Sequence, residues 1–385
     1  MDTPYFLIDK YKLDKNIFDF QNALRQLWPH SELAYSVKTN ALPWLLKYLK
    51  KQNVLAEVVS DEEYALAKMS GYEDNDIVYN GPIKGEKQFK DAVQNGAYIN
   101  LDSKKDLEYL KKYACARMRI GIRVNVPSEL FYYKDIGYEE DGFRFGFSEK
   151  NGDFLYVLNM IRSLDADVQL GLHLHCNSVT RSIEVYRTIA KYAALLIDKY
   201  KLNLSFIDMG GGYFGGVEGK PTPYNYIQTF IEELNSVVNI DETKLIVEPG
   251  SALIGSVAEL HTSVVDVKDT AYARIVTTDG SRIYIDPLWA KSKYLYSLKT
   301  QKSNYMPKQI ICGYTCMDHD RIMTLENCYE LSINDKIIYQ RVGAYTMTFG
   351  GMFIRCLPDV YVQEENKIEK VRSRITMEDY YNIYT

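Results

Sequence analysis

The 385-residue sequence lacks any run of about 18 apolar residues, the length that crosses a bilayer. Its first ten residues, MDTPYFLIDK, contain neither the basic segment nor the long apolar segment of a secretory signal. No face or tail is rich in lysine and arginine, and the net charge is −5. These absences predict a cytoplasmic protein with no membrane or nucleic-acid partner.

Cysteine and histidine are also scarce. The six cysteines form no CxxC pair, and only Cys312 and Cys316 lie close together in the sequence. A disulfide framework or a zinc site is therefore the weaker interpretation, and no metal is expected. Two of the five histidines fall in one short segment, GLHLHCNS at 171–178, which singles that segment out.

Up to about residue 250, short β-rich apolar segments alternate with amphipathic helical stretches. The predicted strands are 33–37, 55–59, 76–79, 97–101, 117–125, 168–175, 205–208 and 245–248. Eight such alternations predict a (β/α)8 barrel of the TIM type over residues 11–255. A doubly wound sheet is the alternative, but its glycine-rich turn would follow the first strand, whereas here it follows the seventh.

After residue 255 the pattern changes to strand-like segments with little helical periodicity. These segments are 256–267, 273–278, 281–285, 308–312, 335–340 and 360–363. They predict a second, all-β domain over residues 256–385, a β-sandwich or β-barrel that residues 1–10 join as a strand.

Polar residues and glycines collect at the ends of the predicted barrel strands, where the active sites of such barrels lie. The segment AYSVKTN places Lys38 at the first end, and DMGGGY places Gly210, Gly211 and Gly212 after the seventh strand. Three glycines let backbone N–H groups converge on a phosphate, and a lysine can hold an aldehyde covalently. Together with His175 and the carboxylate of Glu248, this set predicts pyridoxal 5'-phosphate as the cofactor.

These motifs resemble those of the fold type III pyridoxal-phosphate decarboxylases, the group of ornithine, arginine, diaminopimelate and carboxynorspermidine decarboxylases, with an alanine racemase-like barrel. The matching segments are AYSVKTN, AEVVS, IRVN, HLHCNS, GGG, EPG, GYTC and GAY, and they run along nearly the whole chain. The resemblance implies a decarboxylase in which Lys38 carries the cofactor. It places Glu57 beside that lysine with Arg123 as its partner, and Glu63 matches a further glutamate of the same motif.

The resemblance also assigns the remaining cofactor contacts. It implies that His175 stacks on the ring, that Glu248 binds the pyridine nitrogen, and that Ser178, Gly210, Gly211, Gly212 and Tyr345 surround the phosphate. Cys316 would return a proton to the α-carbon from the partner subunit, which implies a homodimer. A glutamate at the ring nitrogen favours decarboxylation over racemisation, although a racemase or epimerase of the same fold remains an alternative.

The chain departs from the family pattern at the phosphate and at the substrate. The arginine of the family's EPGR motif is Ser251, the glycine of HxHxGS is Asn177, and the acid after the cysteine is Met317. The loss of that acid predicts a substrate whose far end is a carboxylate, amide or conjugate, facing Met317, Lys291 or Arg282. The alternative is an ornithine-, lysine- or diaminopimelate-type substrate whose ammonium group is bound by Asp318, Asp320 or Asp286.

Overall fold

The computed structural model describes residues 1–137, 141–349 and 352–385. The backbone divides into two compact units, a barrel unit of residues 16–252 and a β unit of residues 1–15 and 253–385. The strands are β1 (Tyr5–Asp9), β2 (Ser31–Ser36), β3 (Leu55–Val58), β4 (Ile77–Tyr79), β5 (Tyr98–Leu101), β6 (Arg117–Asn125), β7 (Phe147–Ser148), β8 (Asp167–His173), β9 (Phe206–Asp208), β10 (Lys244–Val247), β11 (Ala258–Asp269), β12 (Arg274–Thr278), β13 (Leu295–Lys299), β14 (Tyr305–Cys312), β15 (Arg321–Tyr329), β16 (Lys336–Gln340), β17 (Asp359–Glu364) and β18 (Lys367–Arg372).

The helices follow the strands along the chain. They are α1 (Lys10–Leu27), α2 (Pro43–Lys51), α3 (Asp61–Met69), α4 (Glu86–Gln94), α5 (Lys104–Tyr113), α6 (Asp153–Arg162), α7 (Ile183–Tyr200), α8 (Pro223–Leu234), α9 (Ser251–Ile254), α10 (Arg282–Ile285) and α11 (Met377–Tyr384). Short 3-10 turns cover Val37–Thr39, Asp74–Asp76, Ser128–Leu130 and Tyr133–Asp135. None of these helices in the described residues is both long and apolar enough to cross a membrane.

Helix starts in the barrel unit follow local sequence signals. Pro43 occupies the first turn of α2, where its missing N–H leaves no bond unmade. The hydroxyl of Ser60 accepts the N–H of Glu63 and caps α3. Thr222 precedes Pro223 and caps α8 in the same way, so the two signals combine at one helix start.

Eight parallel strands close the barrel. The order is β2, β3, β4, β5, β6, β8, β9 and β10, and β10 pairs back with β2, while the two-residue β7 pairs with β6 on its other side. This closed parallel barrel confirms the predicted fold class. Each of the eight segments predicted as a barrel strand overlaps one of these strands, with ends that differ by at most two residues.

The lower part of the barrel interior is apolar. One buried cluster joins Ala34, Leu55, Val78, Tyr98, Phe206 and Ile246, which come from six different strands. On β6 and β8 the space is filled by the ring of Phe206, because a Cβ on Gly121 would come within 3.3 Å of it and a Cβ on Gly171 would overlap it. The two glycines therefore make room for one large aromatic side chain.

The β unit is built on a mostly antiparallel sheet. Its strand order is β15, β14, β12, β11, β1, β17 and β18, with β16 also paired to β11 and β13 to β16. The pairs β1–β17 and β12–β14 are parallel. This sheet confirms the predicted β-rich second part of the fold, and β1 lies in it between β11 and β17.

The prediction of a strand at 281–285 was wrong, because these residues form the short helix α10. The hydroxyl of Ser281 accepts the N–H of Ile283, and the carboxylate of Asp320 accepts the N–H of Arg282. Both contacts cap a helical turn. A five-residue run of alternating polarity is too short to distinguish a strand from one turn of helix.

Candidate active site

A layer of polar side chains lies directly above the apolar layer of the barrel interior. Alternate side chains of a strand share one face, so the residue two positions after each core residue also points inward. Those positions hold Ser36, Glu57, Asn80, Asn100, Arg123, His173, Asp208 and Glu248. All of these residues are buried. Such a concentration of buried polar groups at the carboxyl ends of barrel strands marks a candidate active site.

Lys38 lies at the mouth of the barrel, in the 3-10 turn that follows β2. Its ammonium donates to Oε2 of Glu57 at 2.9 Å. The Lys38 side chain is 41% exposed, whereas that of Glu57 is 1% exposed. Glu57 also accepts hydrogen bonds from Ser36 Oγ and Asn80 Nδ2. The Lys38 amine is thus accessible from solvent, and its partner Glu57 is buried and held by two further hydrogen bonds.

Glu248 and Asp208 form a buried pair of acids in the same polar layer, at the ends of the neighbouring strands β10 and β9. Burial acts to raise the pKa of Glu248, but the neighbouring His173, Asp208 and Lys38 outweigh it and hold the pKa well below its usual range. Burial and the Glu248 charge raise the pKa of Asp208 well above its usual range. Of the two acids, Asp208 is therefore the more readily protonated.

The same corner of the site has the spacing of a metal centre. Ligand atoms of His173, Asp208 and Glu248 lie within 4.8 Å of one another. The two carboxylates are already hydrogen-bonded to Asn100 and Asn80, respectively. The arrangement serves equally well to keep Glu248 charged and oriented, with His173 Nε2 at 3.6 Å from its carboxylate.

The glycine turn after β9 has no space for side chains. Gly210 and Gly212 adopt positive φ values of 61° and 91°. A Cβ on Gly210 would lie 2.6 Å from the Cβ of His175, and a Cβ on Gly211 would overlap the carbonyl oxygen of Glu248. The backbone of the turn therefore packs directly against His175 and Glu248. Exposed backbone N–H groups of such a glycine turn can bind a phosphate.

His175 presents a neutral ring beside this turn. The N–H of Gly211 donates to His175 Nδ1 at 3.2 Å, so the ring carries its proton on Nε2. Burial, with the positive charges of Arg123 and Lys38, lowers the pKa of His175 to about 3. An uncharged imidazole is suited to stacking on a flat ring.

The expected pairing of Arg123 with Glu57 was wrong. Arg123 Nη1 donates instead to Asp102 at 2.6 Å, and the guanidinium lies 4.5 Å from the ring centroid of Phe145. Asp102 also accepts the N–H of Gly146. Glu57 already has three donors on its own side of the barrel, so the arginine pairs with the acid at the end of the neighbouring strand β5.

A cavity of about 580 Å³ opens beside Arg123 and His175. Its lining residues are Arg123, Asp141, Gly142, Phe143, Arg144, Phe145, His175 and Asn177. Arg144 and Asp141 are exposed on its wall, and the Arg144 guanidinium stacks 4.4 Å from the centroid of Phe145. The cavity thus offers both a cation and an anion to a bound molecule.

Ser178 lies in a turn that also holds an arginine. Its hydroxyl accepts the N–H of Arg181 at 2.9 Å, and the Arg181 guanidinium donates to Ser251 Oγ at 3.1 Å. Tyr226 fixes the backbone by donating to the carbonyl of Arg181. A guanidinium therefore lies beside Ser251, the position where the sequence lacks the arginine of the family motif.

In the β unit, two of the acids predicted for the substrate are buried and hydrogen-bonded to turns of that unit. Asp286 is 3% exposed and accepts hydrogen bonds from the backbone of Lys291 and from Arg282. Asp320 is 2% exposed and accepts from Ser281 Oγ and Arg282 N. Burial lowers the pKa of Lys291, whose ammonium donates to a carbonyl of α10.

The other predicted residues of the β unit are more accessible. Cys316 is exposed, and Met317 beside it is half-buried. Asp318 is 95% exposed and pairs with Arg321. Tyr345 is 37% exposed and has a positive φ of 54°. Their proposed roles at the cofactor and the substrate remain predictions.

Sequence reasoning missed several members of the polar layer. None of Asn80, Asn100, His173 and Asp208 was assigned a role in the site. Counting two positions from each apolar core residue would have found all four. The contact between Arg181 and Ser251 had no such signal, because the two residues are separated by 70 positions in the sequence.

Comparison with known proteins identifies the barrel unit. Residues 13–255 match the family model described as "Pyridoxal-dependent decarboxylase, pyridoxal binding domain". A diaminopimelate decarboxylase of Helicobacter pylori is 26% identical over 393 residues, which cover 99% of this chain and 95% of the relative. A probable chloroplastic diaminopimelate decarboxylase of Oryza sativa subsp. japonica is also 26% identical, over 99% of this chain and 79% of its own length.

Solved structures share the fold of both units. The crystal structure of Helicobacter pylori diaminopimelate decarboxylase complexed with L-lysine has a TM-score of 0.83 at 24% identity, covering 100% of this chain and 97% of that one. The arginine decarboxylase of Paramecium bursaria Chlorella virus has a TM-score of 0.75 at 20% identity, covering 94% and 96%. At these identities the likeness establishes the fold.

The chain therefore belongs to the fold type III pyridoxal-dependent decarboxylases. It is an amino-acid carboxy-lyase, and its cofactor is pyridoxal 5'-phosphate, as the sequence predicted. The residues present fit that group. The glycine turn packs its backbone directly against His175 and Glu248, with no space for a Cβ at Gly210 or Gly211; Glu248 offers a buried carboxylate, and Lys38 offers a reachable amine.

Proposed function

We propose that this pyridoxal-dependent decarboxylase releases CO2 from a diamino acid of the diaminopimelate class. The observation that carries the proposal is the match, along 99% of the chain, to relatives named diaminopimelate decarboxylase. The cavity on the barrel unit supports it. Diaminopimelate carries an ammonium and a carboxylate on its far carbon, and the cavity wall offers Asp141 to the first and Arg144 to the second.

We assign the cofactor contacts from the geometry of the barrel unit. Lys38 holds the aldehyde carbon, His175 stacks on the ring, and Glu248 holds a proton on the ring nitrogen. When bound, the cofactor draws the electron pair left by departing CO2 into its ring. Glu57 holds the Lys38 amine in one position. The carbon that this amine holds would therefore be presented to the substrate amine in one orientation. Cys316 then supplies a proton to the α-carbon.

The phosphate, in this proposal, is held by the glycine turn, Ser178 and Arg181. The guanidinium beside Ser251 supplies the positive charge that the EPGS motif lacks. Arg181→Gln is expected to weaken binding of pyridoxal phosphate by roughly ten- to hundredfold, the worth of a charge-assisted hydrogen bond. It should leave the affinity for pyridoxal, which has no phosphate, unchanged. An equal loss for both compounds in a fluorescence titration would remove Arg181 from the phosphate site.

A second substrate class has one observation in its favour. Asp286 and Asp320 are committed to contacts within the β unit, which leaves fewer acids for a distal ammonium group. A substrate with a carboxylate, amide or conjugate at its far end would not need them. This is the substrate that the sequence first predicted, and the same experiment tests it.

The test measures CO2 release from meso-diaminopimelate, L-lysine, L-ornithine, L-arginine and a carboxylated diamine conjugate, with Lys38→Ala as the inactive control. The proposal expects meso-diaminopimelate to have the highest kcat/KM, by roughly tenfold or more, because the unmatched charges of Arg144 and Asp141 disfavour the others. Fastest turnover of the conjugate would establish the second class instead. If no compound releases CO2 from protein that holds the cofactor, both proposals fail.

The catalytic assembly is proposed to be a homodimer. The role of Cys316 implies it, because the family places this cysteine in the active site of the partner subunit. Sedimentation of the protein, with and without cofactor, tests the oligomeric state. A Cys316→Ala protein mixed with a Lys38→Ala protein should regain activity through hybrid dimers, since one of the two sites is then intact.

A further inference from the structure

One buried amide bridges the two functional carboxylates of the barrel. Asn80 follows β4 and is 4% exposed. Its Nδ2 donates to Oε1 of Glu57 at 3.0 Å and to Oε1 of Glu248 at 2.6 Å. An amide nitrogen has two hydrogens, and both are used here. The amide cannot be reversed, because its oxygen would then face two carboxylate oxygens.

A second amide fixes the first. Asn100 is fully buried, and its Nδ2 donates to Oδ1 of Asn80 at 2.8 Å and to Oδ2 of Asp208 at 2.9 Å. The other oxygen of Asp208 accepts the N–H of Gly210 at 2.9 Å. These five residues (Glu57, Asn80, Glu248, Asn100 and Asp208) form an amide ladder from the partner of Lys38 to the glycine turn.

We propose that Asn80 is a positioning residue, which orients Glu57 and Glu248 at the same time by donating one hydrogen of its amide to each. Two buried carboxylates that face each other repel, and without a donor between them one would turn away or take up a proton. Glu57 keeps two other donors, Ser36 and Lys38. Glu248 would keep the more distant His173 and the neighbouring acid Asp208, so it depends more on the amide.

The backbone of β6 is adapted to the ladder. A Cβ on Gly121 would overlap Oδ1 of Asn100. A larger residue at this position would therefore push Asn100 out of line, and with it the amide of Asn80. The glycine that admits Phe206 to the apolar layer thus also admits the amide ladder to the layer above.

The inference rests on the proposed role of Glu248 at the ring nitrogen, so its test separates the two. Nitrogen-15 NMR of the full-length enzyme loaded with ring-labelled pyridoxal phosphate reports directly whether the ring nitrogen is protonated. In Asn80→Leu, which is similar in shape but has no donor, the resonance should move toward that of the unprotonated ring. The kcat should fall roughly ten- to hundredfold, with KM little changed, because a charge-assisted hydrogen bond is lost.

Three further variants make the outcome decisive. Asn80→Asp keeps the shape should Asn80→Leu fail to fold, and should also move the resonance. Thr243→Val removes a buried hydroxyl that donates to the Leu204 carbonyl below the barrel, and should leave both kcat and the resonance unchanged. Asn80 variants that behave like Thr243→Val would overturn the proposal. Glu248→Gln must move the resonance; if it does not, the assignment of Glu248 fails, and the role of the ladder fails with it.

Discussion

Buried carboxylates are held differently in the two units. In the barrel unit, Glu57 and Glu248 are bound by side chains that come from other strands, namely Ser36, Lys38 and Asn80. In the β unit, Asp286 and Asp320 also have side-chain donors, but in addition each accepts backbone N–H groups of its own or a neighbouring turn. A carboxylate held by side chains alone can exchange a partner for a ligand, whereas one that also accepts backbone N–H groups supports the local fold.

This difference separates function from architecture more reliably than burial does. All four acids are at most 4% exposed. The sequence could identify each of them as an acid near a motif, but not the type of donor that would hold it. Variants that remove one carboxylate, or one of its partners, should therefore affect activity in the barrel unit and stability in the β unit.

The largest effect is expected at the end of the barrel network, at Lys38. Lys38→Ala removes the amine that holds the cofactor aldehyde, so kcat should fall by about three orders of magnitude or more. The absorbance band near ~420 nm of a lysine-bound cofactor should also disappear. Lys47→Ala, which removes a lysine from α2, should keep both band and activity. A Lys38→Ala protein that retains the band would refute the assignment.

A smaller loss of activity is expected from Glu57→Gln. The amide keeps the size of the side chain but no longer attracts the Lys38 ammonium, and it brings an N–H₂ group against the donors Ser36 and Asn80. The kcat/KM should fall roughly ten- to hundredfold. The free energy of unfolding should change less than the activity does. Steady-state kinetics gives kcat/KM, and urea unfolding of the same preparation gives the free energy of unfolding. A variant that loses stability but keeps its kcat/KM would contradict the assignment of the barrel carboxylates to function.

In the β unit, Asp320→Asn is expected to lower stability and to leave activity nearly unchanged. Asp320 accepts hydrogen bonds from Ser281 Oγ, Thr315 Oγ1 and Arg282 N, and an amide cannot replace all of these acceptors. The free energy of unfolding should fall by about 1 to 3 kcal/mol, the cost of buried groups left without partners. The kcat should be little changed. Selective loss of activity on diamino acids would instead place Asp320 at the substrate.

The barrel and the residues at its strand ends could be predicted from the sequence because both depend on period and order. Alternation along eight short strands, each followed by a helical stretch, leaves few other folds. Lys38, His175, the glycine turn and Glu248 then meet at one rim because the carboxyl ends of parallel strands do. Each of these positions follows from counting along a regular element.

Pairings that depend on distance in space could not be predicted in the same way. Arg123 pairs with Asp102 and not with Glu57, since the choice is made by which acid already has its donors. The approach of Arg181 to Ser251 depends on how the turn after β8 folds back. Helix α10 depends on contacts from Asp320, which lies 38 residues beyond Arg282 in the sequence.

The smallest predicted effect is a pH dependence that originates at His175. In the unfolded chain a histidine binds a proton below about pH 6.5, whereas burial holds the pKa of His175 at about 3 in the folded protein. The unfolded state therefore binds more protons between these two values, and the stability of the cofactor-free protein falls as the pH drops from 6.5 toward 3.

His175→Phe keeps a flat ring and removes this contribution. Urea unfolding at pH 7.5 and pH 5 measures the free energy of unfolding that each protein loses on acidification. The wild type should lose about 1 kcal/mol more than the variant, a difference kept small because the ring is only half-buried. His30→Gln, a change at an exposed histidine, should keep the wild-type difference; an unchanged difference in His175→Phe would show that the ring is protonated in the folded barrel.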